Sequence, residues 1–242
     1  MPSKNPLLSS DIIGQAPVAY SAPMTVQGAV NKSGVLLALV SISAAFAWSR
    51  VGQPDSALWM IGGVILGFIA AMVTIFKKEW APVSAPAYAV FEGLFLGGIS
   101  AQLNHAYPGI ALQASMLTFG TLFGLLGAYR LGWVRATEQF KAVVCAGTLA
   151  IGLVYFVSMI ANLFGAQVPY IHGSGDVGIL FSAVVVVIAA MNLVLDFDFM
   201  EQGAAAQAPK YMEWYAAFGL MVSLIWLYME ILKLLVKLAR RR

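Results

Sequence analysis

Residues 177–199 read VGILFSAVVVVIAAMNLVLDFDF. From Val177 to Leu195 there is no charged residue, and then Asp196 and Asp198 arrive, followed by Glu201, with no Lys or Arg among them. A run of about 20 apolar residues is the length of a membrane-spanning helix. Lipid offers no partners to backbone N–H and C=O groups, so a segment of this length in a membrane must be helical. The stretch therefore points to a membrane protein and raises a second question, about carboxylates at the end of a span.

The rest of the chain repeats the pattern. Apolar segments lie at 33–49, 57–76, 86–103, 109–129, 142–164, 177–199 and 214–236. The expected fold is an all-α polytopic bundle of seven transmembrane helices. Residues 1–31, polar and holding Pro2, Pro6, Pro17 and Pro23, read as a mobile tail, and 32–242 as one membrane domain. No basic stretch runs directly into an apolar core at the start, so no cleavable signal peptide is expected. Alternating ten-residue strands of a barrel are not seen. Small residues four apart at Gly63 and Gly67, Gly93 and Gly97, and Gly120 and Gly124 predict close helix packing.

Composition agrees. The chain of 242 residues is 60% hydrophobic and 10% charged, against about 25% charged in soluble domains. Its net charge of +3 does not indicate nucleic acid, because the basic residues sit between apolar runs and at the C-terminus. Lys4, Lys32, Lys77, Lys78, Arg130, Arg135, Lys141 and Lys210 fall on one side of the predicted topology, and only Arg50 in the alternate loops. The positive-inside rule places the N-terminus in the cytoplasm. Lys233, Lys237, Arg240, Arg241 and Arg242 conflict with it if segment seven crosses fully; a re-entrant segment seven would remove the conflict.

Four acids lie within apolar segments: Glu92, Asp196, Asp198 and Glu230. A charge at mid-bilayer costs at least about 2.5–3.5 kcal/mol, so such residues face protein or water and are functional candidates. Asp196 shares a helical face with Asn192, which should point to the bundle interior. Asp198 shares a face with Glu201 and Gln202; a solvated helix end pairing with Lys210 is the alternative. Lys233, three residues after Glu230, is placed to neutralise it. Glu92 has no cation within a turn, and a neutral acid bonded to a backbone carbonyl is its plain alternative.

These residues carry a resemblance. The seven-segment hydropathy, LVLDFDFMEQG in segment six and LYMEILKLL in segment seven resemble the Bax inhibitor-1 (TMBIM) family. EGLFLGGIS, YPGI and APKYMEWYAAFGL are similar to its bacterial branch. The resemblance implies a bundle around a central C-terminal helix in a bacterial inner membrane. It also implies a proton-sensitive acid pair associated with calcium leak, one member at Asp196 or Asp198 and the other at Glu230. Glu230 stands where an Asp is usual, the stretch between the acids is longer, and segment two lacks an Arg latch, leaving Lys77 and Lys78 as the nearest candidates.

Three functions compete. A cation pathway would use the pair as a pH gate, since two close carboxylates share a proton, and Asp196 and Glu230 with Asn192 would form a weak, transient calcium site. A regulatory protein binding a membrane partner, such as a protease, is the alternative. An enzyme is not expected. HGSGD at 172–176 lies in a loop, and His105, His172 and Cys145 make no zinc set. No phosphate-binding or dinucleotide motif occurs, so no cofactor is expected beyond the transported cation, and the expected partners are lipid, cation and, in the alternative reading, another membrane protein.

Overall fold

The computed structural model describes residues 22–164, 173 and 175–241. Seven helices are each long and apolar enough to cross a membrane. They are α1 (Val26–Arg50), α2 (Ser56–Phe76), α3 (Ala81–Ala106), α4 (Ile110–Arg130), α5 (Glu138–Leu163), α6 (Asp176–Ala205) and α7 (Met212–Arg241). His172 and Ser174 of HGSGD, like residues 1–21, lie outside the described residues; Asp176 opens α6.

Local signals set the helix ends. Thr25 and Thr137 cap α1 and α5, each hydroxyl accepting a backbone N–H three residues on. Gly109 turns the chain between α3 and α4 at φ 86°, a left-handed conformation that favours glycine. Its N–H is held by the Asn104 side chain at 2.9 Å.

α1 begins earlier than the sequence suggests, and this corrects the tail boundary at residue 31. Met24 is buried, its N–H donates to Ala208 O at 2.7 Å, and Pro23 bridges Pro209. Residues 23–24 are not a free tail, because their backbone pairs with the α6–α7 connection.

Helix α7 packs on α1, α3, α4 and α6. It is central, as expected, but α3 is its equal. These two have 50% and 56% of their apolar windows buried, against 17–33% for the others. Glycine explains α3. A Cβ on Gly63 would stand 2.6 Å from Phe91 O, and one on Gly97 would overlap Ala44 O. Backbones thus touch where α3 meets α1 and α2. Gly120 and Gly124 differ: a Cβ on either meets nothing within 4 Å, so their expected packing role fails.

α7 is continuous over 30 residues, about 45 Å, so it is not re-entrant. Its last turns meet the starts of α4 and α6: Arg240 donates to the Tyr107 hydroxyl, and Arg241 pairs with Asp176. The C-terminal cations therefore lie at the end opposite Lys32, Lys141 and Lys210.

Candidate functional site

The polar residues of the spans gather between α5, α6 and α7. On α5, Lys141, Thr148, Tyr155 and Asn162 recur every seven residues, with the buried Val144, Ile151 and Ser158 three residues after the first three. Seven residues are about two turns, so this is one seam of the helix. Its first three polar members each meet an acid or amide opposite. Lys141 pairs with Asp198 at 3.0 Å. The Thr148 hydroxyl accepts from Asn192 Nδ2 at 2.9 Å. The Tyr155 hydroxyl donates to Glu230 Oε2 at 2.9 Å.

α7 supplies the facing stripe: Gly219, Ser223, Glu230 and Lys237, spaced four, seven and seven. Asp196 stands against its first part. A Cβ on Gly219 would lie 3.4 Å from Asp196 Oδ1, and the Ser223 hydroxyl stands beside the carboxyl. Asp196 Oδ2 is buried with no hydrogen-bond partner, the one such side-chain atom among the described residues. No Lys or Arg among the described residues forms an ion pair with it.

Glu230 is 1% exposed and clamped between Tyr155 and Lys233, whose Nζ is 2.9 Å from Oε1. It lies seven residues beyond Ser223, about 10 Å further along α7. The two acids implied by the resemblance therefore share a stripe but are not in contact. The reason is register: α6 runs antiparallel to α7, and Asp196 reaches the level of Gly219 and Ser223. Among the described residues no three His, Cys, Asp or Glu side chains cluster as a metal site; the expected calcium site would draw on Asp196 and Glu230, which stand about two turns apart along the seam.

Asp198 sits at the surface end, bonded to Lys141 and, at 2.5 Å, to Gln202. Lys210 is not its partner. Glu201 accepts from the Tyr129 hydroxyl. Lys78 stacks over Tyr215, 5.3 Å from the ring centroid, and does not latch Asp196. Asn192 turns to α5, not to Asp196, although the two share a face of α6 one turn apart. Glu92 points elsewhere: its Oε2 would lie 3.0 Å from a Cβ on Gly67 of α2.

One acid was missed. Glu213, in the first turn of α7, is 0% exposed. It accepts from Lys32 (2.5 Å), Lys210 (2.7 Å), and the Thr25 N–H and hydroxyl (both 3.0 Å). The segment before α1 is thereby tied to α7. Position before an apolar run marked Glu213 as a loop residue; Lys210 three residues earlier was the available signal.

Over residues 5–240 the chain matches the family described as Bax inhibitor 1 like. The chain belongs to the Bax inhibitor 1 like family. No curated protein and no solved structure matches it. The family match spans both acid-bearing helices, so the α5–α6–α7 seam of this Bax inhibitor 1 like chain is the candidate site.

Proposed function

We propose that this protein is a proton-gated cation leak, with calcium the candidate ion, conducting along the α5–α6–α7 seam. The observation that carries this is the unpartnered, buried Oδ2 of Asp196 within a polar series that crosses the bundle. From the Lys32 end the series runs Asp198–Lys141, Asp196–Ser223, Asn192–Thr148, Glu230–Tyr155. Burying an unpaired charge is costly, so the packed seam suits a neutral Asp196, and ionisation favours a rearranged one. A chain of waters entering that opened seam would link polar groups set about 10 Å apart along α5. Asp196 and Glu230 act in series, as two separate oxygen stations, and weak ligation suits release. By the positive-inside rule the Lys32 end faces the cytoplasm.

The test is calcium flux into liposomes of purified protein between about pH 6 and 8, where buried acids titrate. Flux should rise with pH, and Asp196→Asn should remove that dependence while the protein stays folded. Glu230→Gln should lower the rate but keep the slope, and Asp198→Asn should do less than either. An unchanged pH profile in Asp196→Asn sinks the gate. Absence of any flux in pure lipid favours the regulatory-partner reading.

A further inference from the structure

A cavity of about 500 Å³ lies between α1 and α4, floored by α3 and α7, on which both flanking helices pack. None of its lining residues belongs to α5 or α6, so it is separate from the seam. Leu112 and Trp48 stand at its rim, 67% and 42% exposed, so its wall continues onto the surface that lipid covers. Among the described residues that line it there is no Lys, Arg, His, Asp or Glu. Five hydroxyls do line it: Ser41, Ser100, Ser115, Thr118 and Tyr228. Ser41, Ser115 and Thr118 donate to carbonyls of their own helices, so their oxygens are left to accept. Ser100 Oγ and the Tyr228 hydroxyl are 2.7 Å apart and share one proton. The second O–H of that pair is left for Ser115, which stands beside Tyr228, or for a ligand. The cavity thus offers several acceptors and one exchangeable donor on an otherwise apolar wall, the usual make-up of a small-ligand site.

We propose that this cleft binds one uncharged lipid alcohol of the diacylglycerol class. Its free hydroxyl meets the Ser100–Ser115–Tyr228 cluster, and one acyl chain runs toward Leu37 and Phe119, deeper in the bundle. Complementarity of charge and polarity chooses this occupant. A phosphate would be buried beside no cation. Ser115 lies five residues into α4, about 8 Å from its start and below the head-group level. A hydroxyl head is small enough to sit there. An ester or ketone oxygen only accepts, and would leave the accepting oxygens of the wall unanswered, whereas an alcohol both donates and accepts. The mouth at Leu112 and Trp48 admits the ligand sideways from the leaflet at the Arg50 end. The inference goes beyond ion conduction and does not rest on it.

The experiment places the full chain in phosphatidylcholine vesicles with a diacylglycerol that carries a photoreactive diazirine in one acyl chain, and maps the crosslinks by peptide mass spectrometry. Crosslinks should gather on residues 37–48 and 111–119. Unlabelled dioleoylglycerol should displace them at a concentration about tenfold lower than its 3-O-methyl ether, which cannot donate, on the scale of one hydrogen bond. Tyr228→Phe with Ser115→Ala should bring the two competitors near parity. Ala45→Phe, at an exposed lining position, should fill the cleft and remove the crosslinks. Equal competition by alcohol and ether on the unaltered chain overturns the proposal, as do crosslinks spread evenly over the described helices. Displacement by dioleoylphosphatidylglycerol as readily as by dioleoylglycerol assigns the cleft to ordinary phospholipid and also overturns it. The comparison of competitors on the unaltered chain stands even if a variant fails to fold.

Discussion

Asp196 and Glu213 are both acids of α6 or α7 turned inward, and their partners divide their roles. Asp196 has the Ser223 hydroxyl beside it and an orphan oxygen, an arrangement that stores a bias toward change. Glu213 has four donors and stores none; it is a fastener. A carboxylate with several charge-assisted bonds loses much when neutralised. Glu213→Gln should therefore destabilise the fold by about 1–3 kcal/mol, read as a lower melting temperature in detergent. The pH dependence of flux should survive. Gly28→Ala tests the same contact from the other side, because its Cβ would overlap the Glu213 carboxylate. A melting temperature unchanged in both variants would remove Glu213 from the structural account.

Among the helices, α3 and α5 mark the two extremes of packing. Gly97→Val forces a branched side chain into the α1 backbone, and overpacking of this kind costs about 1–3 kcal/mol. Gly120→Val, into open space, should leave the melting temperature within error. Equal losses at both positions would show that glycine spacing, not close approach, matters. α5 is the least buried span, at 17% of its window. The heptad polar contacts join apolar ones at Val144 and Ile151, and replacing both partners of one polar contact by apolar groups of similar shape is nearly neutral for folding, so Thr148→Val with Asn192→Leu should change flux more than stability. Element number and length were legible in the sequence because hydropathy is a one-dimensional property: α2 at 56–76 and α4 at 110–130 fall within one residue of expectation. Register between helices was not. The resemblance implied Asp196 and Glu230 as a pair, yet an antiparallel offset of two turns parts them. The polar heptad of α5 was present in the letters, hidden because Thr148 and Tyr155 carry no charge.

Over the described residues, seven helices long and apolar enough to cross and a continuous α7 predict that residues 22 and 241 lie on opposite sides of the membrane. The basic residues then split between the ends. Lys32, Lys78, Arg130, Arg135, Lys141 and Lys210 lie at one, and Arg50, Lys233, Lys237, Arg240 and Arg241 at the other. Charge count alone decides orientation weakly here. Position decides it better, because early loops usually dominate insertion. Lys77 and Lys78 follow the second span directly, whereas the last cations emerge after six crossings are made. Part of the C-terminal charge is also engaged: Lys233 with Glu230 and Arg241 with Asp176. The Lys32 end should therefore be cytoplasmic. Single cysteines in a Cys145→Ser background test this with an impermeant maleimide on intact cells. Gln53→Cys and Arg241→Cys, both at exposed positions, should label directly. Ala206→Cys should label only after permeabilisation. Reversed labelling would mean that the C-terminal cations set the orientation. Labelling of Gln53→Cys and Ala206→Cys from the same side would contradict the crossings themselves.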